Sequence, residues 1–310
     1  MQSVLFGICG PTASGKSAIA LALCEELGGE ILSADSMQVY TGMDILSAQP
    51  TQSERQRVRH HMVAVASPAQ RFNATMYRDE ATKALEDIYK RGALPVLCGG
   101  SGLYIDALTK DISMASQADL TYREELKRIA ALPEGPLLLH RELMQKDPES
   151  ARKYPPGDVR RVIRSLEIFA ATGKPRGEAE KQDALRPDRI PCKLYALKWD
   201  RAALYQRIEH RVEEMLSMGL VEEVRRLMQS SASVQETALQ AIGFKEMRAH
   251  LLGEISFDEA VDRIKQATRR LAKRQETWFK RDPRVTSLAT DGQNMDEITR
   301  QIKSDILSRR

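Results

Sequence analysis

The segment Gly10-Pro11-Thr12-Ala13-Ser14-Gly15-Lys16-Ser17 has the residue types and spacing that bind phosphate groups. It follows an apolar run from Val4 to Cys9 and precedes residues typical of a helix start, which is the context that a G-x4-G-K-[ST] P-loop needs. Its glycines let successive backbone N–H groups converge, and the helix N-terminus adds the positive end of its dipole. Lys16 supplies a mobile positive charge, and the Ser17 hydroxyl can ligate Mg²⁺. The segment predicts a site for a phosphorylated ligand; the alternative is a glycine-rich turn at the start of an ordinary helix.

A carboxylate ends the second predicted strand, which spans Glu30 to Asp35. The carboxyl ends of strands in an open parallel sheet face the ligand crevice, so we expect Asp35 near the phosphates. Ser36, Gln38 and Tyr40 follow on the adjoining loop. The alternative for Asp35 is a turn or helix-capping residue.

A second glycine-rich turn, Gly99-Gly100-Ser101-Gly102, follows a predicted buried strand from Leu94 to Cys98. Such a turn lets the backbone approach a ligand closely, and Ser101 adds a hydroxyl. Its position after a parallel strand favours the ligand crevice, although the turn alone does not require a ligand. The adjacent His60 and His61 could ligate a metal, but no second Cys/His cluster completes a site, and we expect a structural or hydrogen-bonding pair.

Strand patterns vanish between residues 119 and 187, where helical patterns dominate. We expect four helices there, at 120–132, 136–146, 148–154 and 159–172. Asp158 is the predicted N-cap of the last helix, and Gly173 its C-terminal stop. Three arginines lie off the apolar face of that helix and suit either a phosphate-binding surface or a solvated one: Arg160, Arg161 and Arg164.

These patterns predict an α/β protein with a P-loop NTPase-like core, in which helices flank a parallel β-sheet, plus an all-helical insertion domain. The core would comprise residues 1–118 and 188–310, and the insertion residues 119–187. A strand pattern returns at Leu194 to Leu197. Amphipathic helices are expected at 201–218, where Arg211 shares a face with apolar residues, and at 220–229.

A basic stretch from Arg263 to Arg281 contains eight Lys or Arg residues and one acid, Glu276. On a helix with about 100° per residue, one narrow arc beside an apolar stripe contains four arginines: Arg263, Arg270, Arg274 and Arg281. A one-sided basic face is typical of a surface that binds a phosphate backbone or another anion. The alternative is a solvated face.

The composition is that of an ordinary globular protein, with 29% charged and 42% apolar residues in a chain of 310. The net charge of +4 is too small by itself to indicate nucleic-acid binding. Four cysteines lie far apart and form no C-x-x-C pair, which favours reduced thiols over a disulfide framework or a zinc site. No apolar run approaches membrane-spanning length and no secretory leader precedes the first strand, so we expect a cytoplasmic protein.

Four further motifs follow the P-loop in chain order: Asp35-Ser36-Met37-Gln38-Val39-Tyr40, Gly99-Gly100-Ser101-Gly102-Leu103-Tyr104, Asp158 to Glu167 followed by Thr172-Gly173-Lys174-Pro175, and Thr268 to Phe279 with its K-R-Q-x-T-W-F run. Together the motifs resemble those of the bacterial tRNA dimethylallyltransferases, also called isopentenylpyrophosphate transferases. The matches run across nearly the whole chain. One loop departs from the family pattern D-I-G-T-A-K-P, because this chain has Asp44-Ile45-Leu46-Ser47-Ala48-Gln49-Pro50, and any ligand contact of that loop is left open.

The resemblance implies transfer of a dimethylallyl group from its diphosphate to the exocyclic N6 amine of adenine 37 in tRNA. The P-loop, Gly10 to Ser17, would bind the diphosphate, with Lys16 and a Mg²⁺ ion on Ser17 stabilising the departing group. Asp35 would accept a proton from the amine as general base, and Ser101, where most relatives carry Thr, would complete the catalytic set with Lys16. The target base would have to leave its stack to reach this site. The resemblance also implies a set of tRNA-binding residues: Asp35, Ser36, Met37, Gln38, Ser101, Arg123, Arg160, Arg161, Arg164, Arg270 and Arg274.

The expected partners are therefore tRNA with adenine at position 37, dimethylallyl diphosphate and Mg²⁺, with no membrane, and we expect a monomer. A small-molecule kinase is the first alternative, because it shares the P-loop core and could use the helical insertion as an arginine-bearing lid. A non-catalytic RNA-binding module that uses a nucleotide as a switch is the second. It explains the basic helix but gives no reason for Asp35 after the second strand.

Overall fold

The computed structural model describes residues 4–111, 120–184, 186–230, 234, 237–290 and 294–309. The chain separates into two compact units, a core unit of Met1–Thr109 with Ile190–Arg310 and a helical unit of Lys110–Arg189. The first boundary expected from the sequence, between residues 118 and 119, lies outside the described residues. The second falls between residues 189 and 190, where the sequence predicted 187 and 188.

A six-stranded parallel sheet forms the centre of the core unit, in the order β3-β2-β4-β1-β5-β6. Its strands are β1 (Leu5–Cys9), β2 (Gly29–Ser33), β3 (His60–His61), β4 (Leu94–Gly99), β5 (Cys192–Lys198) and β6 (Val285–Ala289). β1 and β4 are buried along their whole length, as expected for neighbouring central strands covered on both faces. The predicted α/β class with a parallel sheet is confirmed.

Helices and strands of the core unit form two large buried clusters, to both of which β1 contributes, and a smaller third cluster of Leu204, Ile208 and Ala272. The helices are α1 (Lys16–Leu27), α2 (Gln52–Arg57), α3 (Ala74–Lys90), α4 (Gly102–Thr109), α10 (Arg201–Ser217), α11 (Leu220–Gln229), α12 (Phe244–Leu251), α13 (Phe257–Phe279) and α14 (Met295–Ser308), with a short 3₁₀ turn at Ala238–Gln240. Because side chains alternate along a strand, Leu5 joins the cluster that includes Ile264 of α13. Ile8 joins the other cluster, with Ile19 of α1 and Ile302 of α14. In the part of the chain that the structure describes, no helix combines the length and apolar character needed to cross a membrane.

The two adjacent histidines form the short edge strand β3 and make local hydrogen bonds. His60 Nδ1 lies 2.8 Å from the Val58 carbonyl oxygen, and His61 Nε2 lies 2.6 Å from Glu30 Oε2. Among the residues described, no group of three His, Cys, Asp or Glu side chains could hold a metal. The predicted hydrogen-bonding pair is confirmed.

The helical unit contains five helices within the described residues: α5 (Leu120–Ala130), α6 (Gly135–Lys146), α7 (Pro148–Lys153), α8 (Val159–Thr172) and α9 (Arg176–Ala184). Leu126, Leu143 and Leu166 pack in its buried core. α8 has the predicted bounds, but α9 was not predicted. Gly173 ends α8 with a φ of 67°, as expected. Asp158 lies at the predicted N-cap position of α8, but its carboxylate makes no capping bond and instead pairs with Arg161.

Candidate active site

The P-loop has the backbone of an anion-binding loop. Between β1 and α1, Gly10, Ala13 and Gly15 have positive φ angles of 136°, 63° and 90°. A left-handed backbone costs a residue with a Cβ about 1–2 kcal/mol, so surrounding contacts must hold Ala13 in place. α1 begins at Lys16, and its first N–H groups and the positive end of its dipole therefore lie at the loop. This geometry suits a phosphate group.

Three side chains from distant parts of the core unit hold the P-loop. Arg207 donates through Nε to the carbonyl oxygen of Ala13 over 2.7 Å, and its guanidinium lies 4.4 Å from the ring centroid of Trp199. Trp199 donates through Nε1 to the next carbonyl oxygen of the loop, over 3.0 Å. Gln275 accepts the Thr12 N–H through Oε1 at 2.8 Å. The sequence predicted none of these contacts, since each partner lies at least 185 residues away along the chain.

Two cations at the P-loop, Lys16 and Arg211, have no carboxylate paired with them among the described residues. Loss of solvation lowers the pKa of Lys16, and the nearby Arg211 charge lowers it further, while Asp35 acts in the opposite direction. Loss of solvation also lowers the pKa of Arg211, against the opposing effect of Asp35. Lys16 Nζ donates to the Pro11 carbonyl oxygen at 3.2 Å, but neither cation has an ion pair among the described residues. A bound anion would supply the missing counter-charge.

Arg211 was not predicted as a site residue. Its position on the apolar side of an amphipathic helix was the available indication, because a cation there must meet a counter-charge or a ligand. The structure brings its charge within electrostatic range of both Lys16 and Asp35. Arg211 therefore joins Lys16 as a candidate for binding an anionic substrate.

A cavity of about 220 Å³ adjoins the first turn of α1. Its polar lining comprises Ser17, Ser33, Gln38, Gln49, Glu54, His60 and Arg211. The Cys98 thiol also lines it; burial raises the pKa of this thiol to about 11, although a hydrogen bond with Ser17 acts to lower it. The cavity combines hydroxyls, amides and a cation, which suits a charged group better than an apolar one.

The Ser17 hydroxyl is compatible with a Mg²⁺ site shared with a ligand. Mg²⁺ commonly takes one or two protein ligands and completes its coordination with phosphate oxygens and water. Ser17 offers a hard oxygen donor at the first turn of α1 and borders the cavity. The residues present fit a metal held together with phosphate, because the described residues offer no cluster of protein ligands for a metal on its own.

The predicted carboxylate and the second glycine-rich turn lie together at the carboxyl ends of β2 and β4. Ser101 Oγ accepts the Ser36 N–H at 2.9 Å, and the Ser101 N–H donates to the Ala34 carbonyl oxygen at 3.0 Å. Asp35 Oδ1 accepts the Met37 N–H at 2.9 Å. A Cβ on Gly99 would lie 2.2 Å from the Ala34 carbonyl oxygen, so this approach requires glycine. The turn that carries Asp35 and the turn that carries Ser101 therefore form one rigid corner.

The atypical loop from Asp44 to Pro50 is anchored by side chains on both sides. The buried carboxylate of Glu223 accepts the N–H groups of Ile45 and Leu46 at 2.9 and 2.8 Å. Gln49, where the family pattern has Lys, donates to the Tyr40 carbonyl oxygen at 2.6 Å and borders the cavity. The loop therefore keeps a defined conformation without the lysine.

Gln38, which the resemblance places in tRNA binding, turns its side chain inward. Its Oε1 accepts the Ser33 hydroxyl at 2.8 Å, and its Nε2 donates to the Ala48 carbonyl oxygen at 2.9 Å. Gln38 therefore joins β2 to the loop beside the cavity, and a tRNA contact by this side chain would need those bonds to open.

Part of the basic stretch on α13 is paired with acidic residues that lie outside that stretch in the sequence. Three of its cations pair with glutamates on α13 itself and on α10: Arg263 with Glu259 at 2.6 Å, Lys265 with Glu213 at 3.1 Å, and Arg269 with Glu209 at 2.9 Å. The predicted arc of four arginines is wrong at Arg281, because α13 ends at Phe279; Arg263 lies on the helix but is paired with Glu259. Arg270 and Arg274 are exposed and have no ion pair within the described ranges.

Three of the arginines predicted in the helical unit form ion pairs within that unit. Arg123 makes a two-pronged ion pair with the buried carboxylate of Glu167, whose Oε2 lies 2.8 Å from Arg123 Nη2. Arg164 lies 3.3 Å from the same carboxylate, and Arg161 pairs with Asp158. Arg160 is exposed.

The chain is similar to known proteins over most of its length. The model of the family described as IPP transferase matches residues 38–282. A tRNA dimethylallyltransferase from Geobacter metallireducens is 45% identical over 276 residues, which are 89% of each chain. Another from Carboxydothermus hydrogenoformans is 40% identical over 303 residues, which are 97% of each chain.

Solved structures show the same likeness. A tRNA isopentenylpyrophosphate transferase from Bacillus halodurans superposes with a TM-score of 0.73 at 36% identity, covering 99% of this chain and 97% of that one. A eukaryotic dimethylallyltransferase, described as acting on tRNA, gives a TM-score of 0.82 at 27% identity and covers 99% of this chain and 80% of its own. The similarity extends over nearly the whole chain.

Proposed function

The chain belongs to the IPP transferase family, and on that premise we propose that it transfers a dimethylallyl group from dimethylallyl diphosphate to the N6 amine of adenine 37 in tRNA, releasing diphosphate. Its relatives are named for prenyl transfer to tRNA, and the matches cover most of both chains. The observation that carries the finer proposal is that Lys16 and Arg211 have no ion pair among the described residues and lie within electrostatic range of Asp35. An anion site beside a carboxylate suits a reaction in which an anion leaves and a proton is removed.

The diphosphate would bind at the P-loop. N–H groups at the start of α1 would bind its oxygens, and Lys16 and Arg211 would balance its charge. Negative charge grows on the diphosphate oxygen as the bond to the allylic carbon breaks, so both cations stabilise the transition state more than the bound substrate. Ser17 would hold Mg²⁺, which when bound supplies further positive charge to the leaving group.

Asp35 would take the proton. Its Oδ1 is held by the Met37 N–H, and Oδ2 has no hydrogen bond from the described residues, so one oxygen remains available to an incoming amine. As the adenine N6 forms its bond to the allylic carbon, the carbon–oxygen bond to the diphosphate breaks and an N6 proton moves to Asp35. The Ser101 hydroxyl, which accepts the Ser36 N–H, lies at the same corner and would orient the base. Holding the weakly nucleophilic amine against the allylic carbon supplies most of the remaining acceleration.

Transfer of label from radioactive dimethylallyl diphosphate to unmodified tRNA, with Mg²⁺ and without nucleotide, tests the proposal. We expect label in tRNA that has adenine at position 37 and none in a transcript with guanine there. Asp35→Asn keeps an oxygen for the Met37 N–H but removes the base, and should lower turnover by about 10²–10⁴-fold.

Asp44→Ala is the matched control, because this exposed carboxylate lies on the nearby loop and has no side-chain bond among the described residues. Its turnover should equal that of the wild type. If wild-type enzyme transfers no label but consumes ATP in a parallel assay, the proposed function is wrong and the kinase alternative replaces it.

A further inference from the structure

Gln275 on α13 joins the two halves of the proposed active site. Its side chain is 9% exposed. Oε1 accepts the Thr12 N–H of the P-loop at 2.8 Å, and Nε2 donates to the Gly100 carbonyl oxygen at 3.0 Å. The partners settle which end is which, because an N–H must meet the amide oxygen and a carbonyl oxygen must meet the amide nitrogen. One amide group therefore bonds to both glycine-rich turns at once.

The bridge continues to the catalytic carboxylate. Gly100 precedes Ser101, whose hydroxyl accepts the N–H of Ser36, the residue after Asp35. A chain of hydrogen bonds thus runs from the P-loop through Gln275 and the Ser101 turn to the corner that holds Asp35. Gln275 thus makes a direct hydrogen bond to each of the two glycine-rich turns.

The surrounding packing leaves this amide little freedom. A Cβ on Gly100 would lie 2.2 Å from Gln275 Nε2, and a Cβ on Gly102 would lie 2.1 Å from Nε1 of Trp278, one turn further along α13. Close-packed interiors transmit small displacements, so a shift of α13 at Gln275 would move the Ser101 turn relative to the P-loop.

We propose that Gln275 is a positioning residue that sets the spacing between the diphosphate cradle and the Asp35–Ser101 corner. This inference rests on the proposed function and adds to it a role for the K-R-Q segment inside the active site, in place of a surface contact. In this role Gln275 affects the transfer step and leaves the binding of each substrate nearly unchanged. The physical reason is that a displacement of about 1 Å between reacting groups can cost on the order of a hundredfold in rate without removing any binding contact.

Gln275→Met keeps the length of the side chain and removes both hydrogen bonds. We expect kcat for transfer to fall by roughly tenfold to a hundredfold, with the KM values for tRNA and dimethylallyl diphosphate and the Kd for pyrophosphate changed by less than about threefold. Gln266→Met is the matched control, because it makes the same substitution at an exposed position of the same helix. It should leave kcat unchanged, and the thermal midpoints of both variants show whether each is folded.

A double-mutant cycle with Gly100 gives an independent test. Gly100→Ala should displace the Gln275 amide and lower kcat by roughly tenfold, because the added methyl would meet Nε2 at 2.2 Å. In a Gln275→Ala background the amide is absent, so the same change should cost less than about twofold.

Wild-type kcat in Gln275→Met, a rise in either KM without a fall in kcat, or additive effects in the cycle would each overturn the inference. If Gln275→Met is unstable, Gly100→Ala alone still tests the inference, since it displaces the Gln275 amide and leaves the glutamine in the chain; wild-type kcat in that variant would overturn it. Failure of the wild type to transfer label defeats the proposed function and the inference together, whereas wild-type transfer with unaffected Gln275→Met defeats the inference alone.

Discussion

Two cations at the P-loop and two arginines of the helical unit differ in what balances their charge. Lys16 and Arg211 have lowered pKa values and no ion pair among the described residues. Arg123 and Arg164 share the buried carboxylate of Glu167. The comparison indicates which charges the fold has already satisfied and which it leaves for a ligand. Counting basic residues along the chain does not make this distinction.

Within this comparison, the largest effect is expected at Lys16, which has no ion pair among the described residues. Lys16→Met should lower kcat/KM for dimethylallyl diphosphate by on the order of 10²–10³-fold, since it removes a preorganised charge from the leaving group. Pyrophosphate binding, measured by calorimetry, should weaken in parallel. Near-normal turnover would mean that the P-loop is not the diphosphate cradle.

The same site predicts a pH dependence. Because loss of solvation lowers the pKa of Lys16 from its ordinary 10.5, raising the pH neutralises this side chain earlier than an exposed lysine. Wild-type affinity for pyrophosphate should therefore fall as pH rises at alkaline values below 10.5, and Lys16→Met should lose that dependence. An identical pH profile in the wild type and in Lys16→Met would show that the titrating group is not Lys16.

The next effect concerns stability in the helical unit, where the two partners of one ion pair should differ. Arg123→Met leaves Glu167, 2% exposed, with only the longer contact from Arg164, and should cost about 3 kcal/mol. Glu167→Gln leaves Arg123, 31% exposed, which can reach water, and should cost about 1 kcal/mol. Chemical denaturation measures the free energy of unfolding of both variants. Equal losses of stability would contradict the expectation that the more deeply buried partner is the more costly one to leave unpaired.

The smallest effect is expected on α13, where paired and unpaired cations lie on one helix. Replacing Arg270 and Arg274 with Gln should lower the slope of log Kd for tRNA against log salt by about one to two. Each phosphate contact that is lost reduces the number of counterions released when tRNA binds. Arg263→Gln, which removes a cation already paired with Glu259, is the control and should change the slope much less. Equal slopes in all three proteins would show that Arg270 and Arg274 are merely solvated.

Local patterns predicted the elements that carry the site. The apolar runs of β1 and β4, the glycines of the two turns and the position of Asp35 after β2 all follow from short stretches of chain. Backbone conformation and strand pattern depend mainly on neighbouring residues, which explains why these predictions are confirmed. Asp158 has the predicted N-cap position, but its carboxylate pairs with the nearby Arg161 and makes no capping bond.

What the sequence by itself determined is therefore the order of the elements that carry the site, the parallel α/β class and the family. Only the tertiary structure decided which side chains meet: Arg211 near Lys16 and Asp35, Gln275 between two turns, and Glu223 under the loop at Ile45. The physical reason is that a helical pattern shows which face is buried, whereas the cost or use of a polar group on that face depends on partners contributed by distant parts of the chain. Folding brings those partners together, and with them the charges that a ligand must complete.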